Sequence, residues 1–233
     1  MSKIIRDFKN NEDKFKLTQN NIVYDGIIDE NEFDNSELKI LWILKEVNSP
    51  DDSDWDMRDA LADLKNENGK GLKYGWANTF TPIVYTTYGL FNNIDWDNMG
   101  NFYENPEIID ILRKVAYINV KKVPGNSSAN YNEIKKFYKN NKEAIHEQVQ
   151  MINPKVLIFG NTLDYFDDDF FDLFGKLEED KTSNSLHKFF NDNYLLLYAY
   201  HPNNRKITQR EYCNLIISAV DEWKKNKEQV DFC

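Results

Sequence analysis

Cysteine is nearly missing from this chain: of 233 residues only Cys213 and Cys233 carry a thiol. Cys213 falls in a predicted helix and Cys233 is the last residue. Neither a disulfide framework nor a four-cysteine zinc or iron–sulfur site can be assembled from them. Long apolar runs are missing too. No stretch approaches the ~20 apolar residues that a membrane helix needs, and Met1-Ser2-Lys3-Ile4-Ile5-Arg6-Asp7 lacks the apolar core of a secretory signal. These absences predict a cytoplasmic protein with reduced thiols and no membrane partner. Histidine is scarce, with three in all. His146 and His187 fall in predicted helices and read as structural, which leaves His201. The run Asp167-Asp168-Asp169 hints at a cation, but consecutive carboxylates on a helix point in different directions. It reads as a solvated face, so no metal and no cofactor is expected.

Apolar and aromatic residues are plentiful, at 41% and 14%. A chain of this length and composition suits one α/β domain with insertions. Four apolar runs stand out: Leu38-Lys39-Ile40-Leu41-Trp42-Ile43-Leu44, Val115-Ala116-Tyr117-Ile118, Val156-Leu157-Ile158-Phe159 and Leu195-Leu196-Leu197-Tyr198-Ala199. Their apolar character is near-continuous rather than alternating, which marks strands covered on both faces of a parallel sheet. Helical periodicity separates them. The expectation is a three-layer α/β/α fold around a central, mainly parallel sheet of four strands, at 38–44, 115–120, 155–160 and 194–199.

Each run ends in a polar cluster. Lys45-Glu46-Val47-Asn48-Ser49-Pro50 follows the first, Asn119-Val120-Lys121-Lys122-Val123-Pro124-Gly125 the second, Gly160-Asn161-Thr162 the third and Tyr200-His201-Pro202-Asn203 the fourth. Parallel strands present their carboxyl ends on one edge, where α/β folds bind ligands. Glu46, Asn48, Asn119, Asn161 and His201 are therefore expected to meet in one crevice, with Gly160 near its rim. Pro202 restricts the turn that carries His201.

Residues 1–36, polar and rich in Asn and Asp, read as an N-terminal extension packed on a domain of residues 37–233. Residues 51–105 read as a helical, aromatic-rich insertion that caps the crevice. Asn130 with Glu133, and Thr208 with Glu211, mark two helix starts. Ile134, Phe137, Tyr138, Ile145, Val149 and Ile152 form the buried face of the first helix; Tyr212, Leu215, Ile216, Ala219 and Trp223 form that of the second.

Net charge is −10, which taken alone argues against nucleic acid. The charge is uneven. From Arg113 to Lys142 there are eight bases against the one acid Glu133; from Asp164 to Asp180 there are eight acids against the one base Lys176. Lys121, Lys122, Arg205 and Lys206 flank the expected crevice and read as contacts to a nucleic-acid backbone. The acidic segment 164–180 reads as a face for a basic protein partner.

Taken in order, these strand ends resemble the uracil-DNA glycosylase superfamily. The resemblance spans roughly 38–225 and looks closest to a poorly characterised bacterial branch, through Leu44-Lys45-Glu46, Trp55-Asp56-Met57-Arg58 and Asn119-Val120-Lys121-Lys122-Val123-Pro124-Gly125. It implies a DNA-repair hydrolase that cleaves the N-glycosidic bond of a damaged or modified base. Glu46 or Asn48 would position water, Asn119 would read the base edge, and His201 would stabilise the departing base. Trp55, Tyr74 or Trp76 would stack on the base, with Gly160 alongside. The sequence departs from the family in four ways: the Gly-x-Asp-Pro or Gly-x-Asn-Pro first turn is replaced by Lys45-Glu46-Val47-Asn48, Asn203-Asn204 stand where Ser-Pro is usual, no Leu wedge follows that turn, and iron–sulfur cysteines are absent. The alternative is a catalytically inactive module on the same fold that binds a nucleobase, nucleotide or nucleic acid.

Overall fold

The computed structural model describes residues 7–17, 19–49, 53–126, 128–183 and 185–230. Met1 to Arg6, Pro50 and Cys233, used in the sequence reading, lie outside the described residues. In chain order the elements are α1 (Phe8–Lys16), β1 (Val23–Tyr24), β2 (Gly26–Ile27), α2 (Glu30–Asn35), β3 (Ile40–Leu44), β4 (Trp55–Asp56), α3 (Met57–Ala62) and α4 (Ala77–Asn92). They continue with β5 (Ala116–Asn119), α5 (Tyr131–Ile152), β6 (Val156–Gly160), α6 (Asp168–Phe171), β7 (Glu178–Ser183), β8 (Leu186–Phe190), β9 (Leu195–Ala199) and α7 (Gln209–Val230). A 3-10 helix, Pro106–Lys114, leads into β5.

The fold is α/β, built on a mixed sheet of order β2-β5-β3-β6-β9-β8-β7. The neighbours β5, β3, β6 and β9 pair in parallel and match the four expected runs. The expected count of four strands falls short, because three antiparallel strands extend the edges. β2 is only two residues long, and β7 is charged along its length, as an exposed sheet edge favours. His187 lies in β8 and not in a helix.

Every residue of β3 is buried. Ile40, Trp42 and Leu44 face one side with Phe80, Ile83 and Val84 of α4 and Ile216 and Val220 of α7. Leu41 and Ile43 face the other, with Phe15 of α1, Ile134, Ile145 and Val149 of α5 and Phe170 of α6. Helices cover both faces, which is why the strand run carries no alternation. Both capping signals hold: the Asn130 side chain accepts from Asn132 N–H (3.0 Å) and Glu133 N–H (3.4 Å), and the Glu211 N–H donates to Thr208 Oγ1 (3.1 Å).

The N-terminal region is more than an extension laid on the domain. β2 joins the main sheet, β1 pairs with β4, and the region delivers Asp25 into the interior. There Asp25 Oδ1 accepts from Lys122 Nζ (2.6 Å) and Gln148 Nε2 (3.0 Å), while Oδ2 accepts from the Asn119 N–H (2.8 Å). In sequence the parallel strands run β3, β5, β6, β9; in space they run β5, β3, β6, β9. The chain therefore leaves β3 on one side and returns on the other, and this reversal opens a crevice at the strand carboxyl ends.

Candidate functional site

Two turns at this edge are laced together. Leu44 pairs with Asn119 at the last register position. Beyond it the Val120 N–H donates to Leu44 O (2.8 Å), the Lys121 N–H to Lys45 O (2.9 Å) and the Gly125 N–H to Val47 O (2.8 Å). The segment after β3 is thus held in extended form against the segment after β5, and Glu46 gains a fixed origin. Its carboxylate meets Lys121, with Nζ 2.5 Å from Oε2, and Lys121 also donates to Pro124 O (3.3 Å). The two side chains are only 11% (Lys121) and 4% (Glu46) exposed.

His201 is set by packing beneath its turn. A side chain on Gly160 would place a Cβ 3.1 Å from Pro202 Cδ and 3.2 Å from Leu44 Cδ2. Gly160 therefore lets the His201-Pro202 turn settle onto the sheet, and its place is under the crevice rather than on its wall. The Asn203 N–H donates to His201 Nδ1 at 3.1 Å. Burial, and then the charge of Lys45, pulls the imidazole pKa down to about 4. A neutral ring whose Nδ1 accepts carries its proton on Nε2, so His201 presents an Nε2–H donor.

Glu46, Asn48, Trp55 and His201 line one cleft of 620 Å³, together with Lys45 and the aromatic side chains of Tyr74, Trp76, Phe80 and Tyr117. The rings form a graded wall: Trp76 lies 5.3 Å from Phe80, and Phe80 5.5 Å from Tyr117. Tyr74 is fully exposed on the rim. The insertion thus does wall the crevice. Asn119, expected in the crevice, is fully buried behind Tyr117 and does not line it. Its Oδ1 accepts from the hydroxyl of Tyr117 (3.3 Å), and its buried Nδ2 has no partner among the described residues. The buried Nε1–H of Trp55 has none among them either. Asn161 turns away, its Oδ1 accepting from Tyr198 (3.4 Å). Asp56 and Arg58 have structural work: Asp56 caps α3 through the Arg58 N–H (2.8 Å), and Arg58 pairs with Asp56 (2.6 Å) and Glu12 (2.8 Å).

Lys45 enters the sequence reading only as part of a motif, yet it lines the cleft without an ion pair among the described residues. Burial pulls its pKa below the ordinary lysine value.

The charged flanks need correction. Lys122 is 1% exposed and bound to Asp25 and Gln148, so it cannot reach a phosphate. Lys121 is committed to Glu46. Arg205 and Lys206 are exposed. The acidic segment is partly paired within the chain. Asp167 pairs with Lys135 (2.6 Å), Asp169 with Lys142, and Asp180 with Lys188 (2.9 Å). Comparison with protein-family models and with curated proteins finds no match for the chain.

Among the described residues no helix is long and apolar enough to cross a membrane. What the cleft offers chemically is a carboxylate fixed by a lysine, a neutral imidazole donor, the Lys45 ammonium, and flat walls.

Proposed function

We propose that the cleft is a nucleobase site of uracil-DNA glycosylase type, and that the protein hydrolyses the N-glycosidic bond of a damaged or modified base in DNA. The observation that carries this reading is that the ends of β3 and β9 deliver Glu46 and His201 to one aromatic-walled cleft of 620 Å³. Cleavage breaks the C1′–N bond and sends the electron pair to the base, while water adds to the oxocarbenium-like sugar. Glu46, with Asn48 beside it, suits the sugar side: a fixed carboxylate orients the water and offsets the positive charge. His201 suits the base side, where an Nε2–H donor stabilises the leaving anion. Asn119 stands behind Tyr117, whose hydroxyl donates to it, and so supports the wall rather than touching the base. Trp55 and Trp76 supply stacking surfaces.

A second reading, a base-binding module without catalysis, draws on the Lys121–Glu46 pair, because the ammonium already occupies one oxygen of the carboxylate that would have to hold the water. Single-turnover cleavage of oligonucleotides carrying uracil, hypoxanthine, xanthine or oxidised bases tests the two. Release of a base that is lost in Glu46→Gln supports hydrolysis. Base binding with no release in any substrate supports the module.

A further inference from the structure

The cleft carries one uncompensated charge. Its charged lining residues are Lys45 and Glu46. Glu46 already has a cationic partner in Lys121, itself nearly buried. Lys45 has no such partner among the described residues. The carboxylates that act on it from farther off are Glu46 and Asp164, and Asp164 already accepts from the Tyr198 hydroxyl (2.6 Å). In a chain of net charge −10, the described residues thus leave the cleft a single free cation. Beside it on the cleft wall stands the His201 imidazole, a neutral donor. A ligand that is merely flat would satisfy the aromatic wall and leave the ammonium without a counter-charge.

We propose that Lys45 is an anion-recognition group, and that the cleft takes a planar heterocycle carrying a full negative charge on the edge that faces it. The inference rests on the nucleobase reading of the cleft and narrows its ligand. It assigns to Lys45 the charge that a neutral His201 cannot supply, leaving His201 as the directional donor. The ligand's charge pairs with Lys45, and the Lys121 ammonium beside Glu46 softens the repulsion from that carboxylate without removing its charge.

The probes are orotate and orotamide, which share ring and shape and differ in charge, with uracil as the plain ring. Binding to the full-length protein is read by quenching of tryptophan fluorescence, since Trp55 and Trp76 line the cleft. Orotate is expected to bind at least about tenfold more tightly than orotamide at low salt. The gap should close in Lys45→Met and return in Lys45→Arg, whose rescue excludes a folding defect. Equal affinity for the two in the wild-type protein, tighter binding of orotamide, or no quenching by any probe at millimolar concentration overturns the proposal. The oligonucleotide cleavage assay reports separately. Cleavage without charge preference sinks the Lys45 role and leaves the hydrolase, whereas charge preference without cleavage leaves Lys45 in a binding module.

Discussion

The carboxylate of Glu46 lies directly over Gly125: a Cβ built on that glycine would stand 2.0 Å from Glu46 Cδ and 2.2 and 2.3 Å from its oxygens. Gly125 does not occupy the left-handed region, so alanine meets no backbone penalty there. The whole cost of Gly125→Ala is steric. The Glu46 carboxylate has to leave, and Lys121 is left without its partner in a nearly closed space. A loss of about 1–3 kcal/mol is expected by urea denaturation. The hydrolytic step should fall at least about tenfold, because a charge displaced from its preorganised position no longer offsets the sugar. A structure of Gly125→Ala that keeps the Lys121–Glu46 pair at unchanged stability would refute this.

Lys122 and Asp25 form a second pair, buried to 1% and 2% exposure. Removing one member leaves a charge inside the protein, and such losses run to about 3–5 kcal/mol. Lys122→Met is expected to lie in that range by denaturant unfolding. Replacing both residues together with apolar side chains should cost less than the single change, because no orphan charge remains. A Lys122→Met loss below about 1 kcal/mol would mean the pair is not buried in solution.

The four parallel strands were legible because both faces of each are covered, and coverage writes itself as continuous apolar sequence. The cleft was legible for the same reason: parallel strands fix which turns meet. What the sequence hid was pairing across distance. Lys122 and Asp25 are 97 residues apart, and Lys121 and Glu46 are 75 apart. A basic stretch and an acidic stretch look like two surfaces on paper. In the fold Lys135 and Lys142 of α5 reach Asp167 and Asp169, so the two stretches meet and pair at two points. The outer strands escaped notice because β2 is too short for a period, and β7 is charged where an edge must repel other strands. Gly125 left one trace, a glycine directly after Pro124, which reads as a turn and gives no sign of the carboxylate above it.

With Lys121 and Lys122 withdrawn from the surface, polyanion binding at this edge falls to Arg205 and Lys206. Substituting both with alanine is expected to weaken duplex binding across sequences alike. The salt slope should drop by about two, one for each phosphate that is no longer neutralised. Stability should stay within about 0.5 kcal/mol, because both side chains are exposed. Affinity and slope equal to wild type would remove DNA from this edge.

His201 offers the sharpest pH test. Burial, reinforced by Lys45, holds its pKa at about 4 in the folded protein, against about 6.5 in an unfolded chain. Between those values the unfolded state binds a proton that the folded state refuses. This residue's contribution to stability is therefore complete above about pH 6.5 and is lost as the pH falls toward 4. The ring should stay neutral throughout the range in which the hydrolytic step is measured, so that step should show no inflection near 6.5 from His201. The His201 ring-proton shift, followed by NMR, should titrate near 4. His201→Ala should remove the acid-side loss of stability in this window. It should also slow the chemical step by about 10²–10³ while leaving substrate binding nearly unchanged, the cost of deleting one preorganised donor to a developing anion. Single-turnover kinetics separates the two effects. A His201 titration near 6.5 would mean that the ring is solvated and accepts a proton freely. The neutral-donor role would then fall, even if His201→Ala proved inactive.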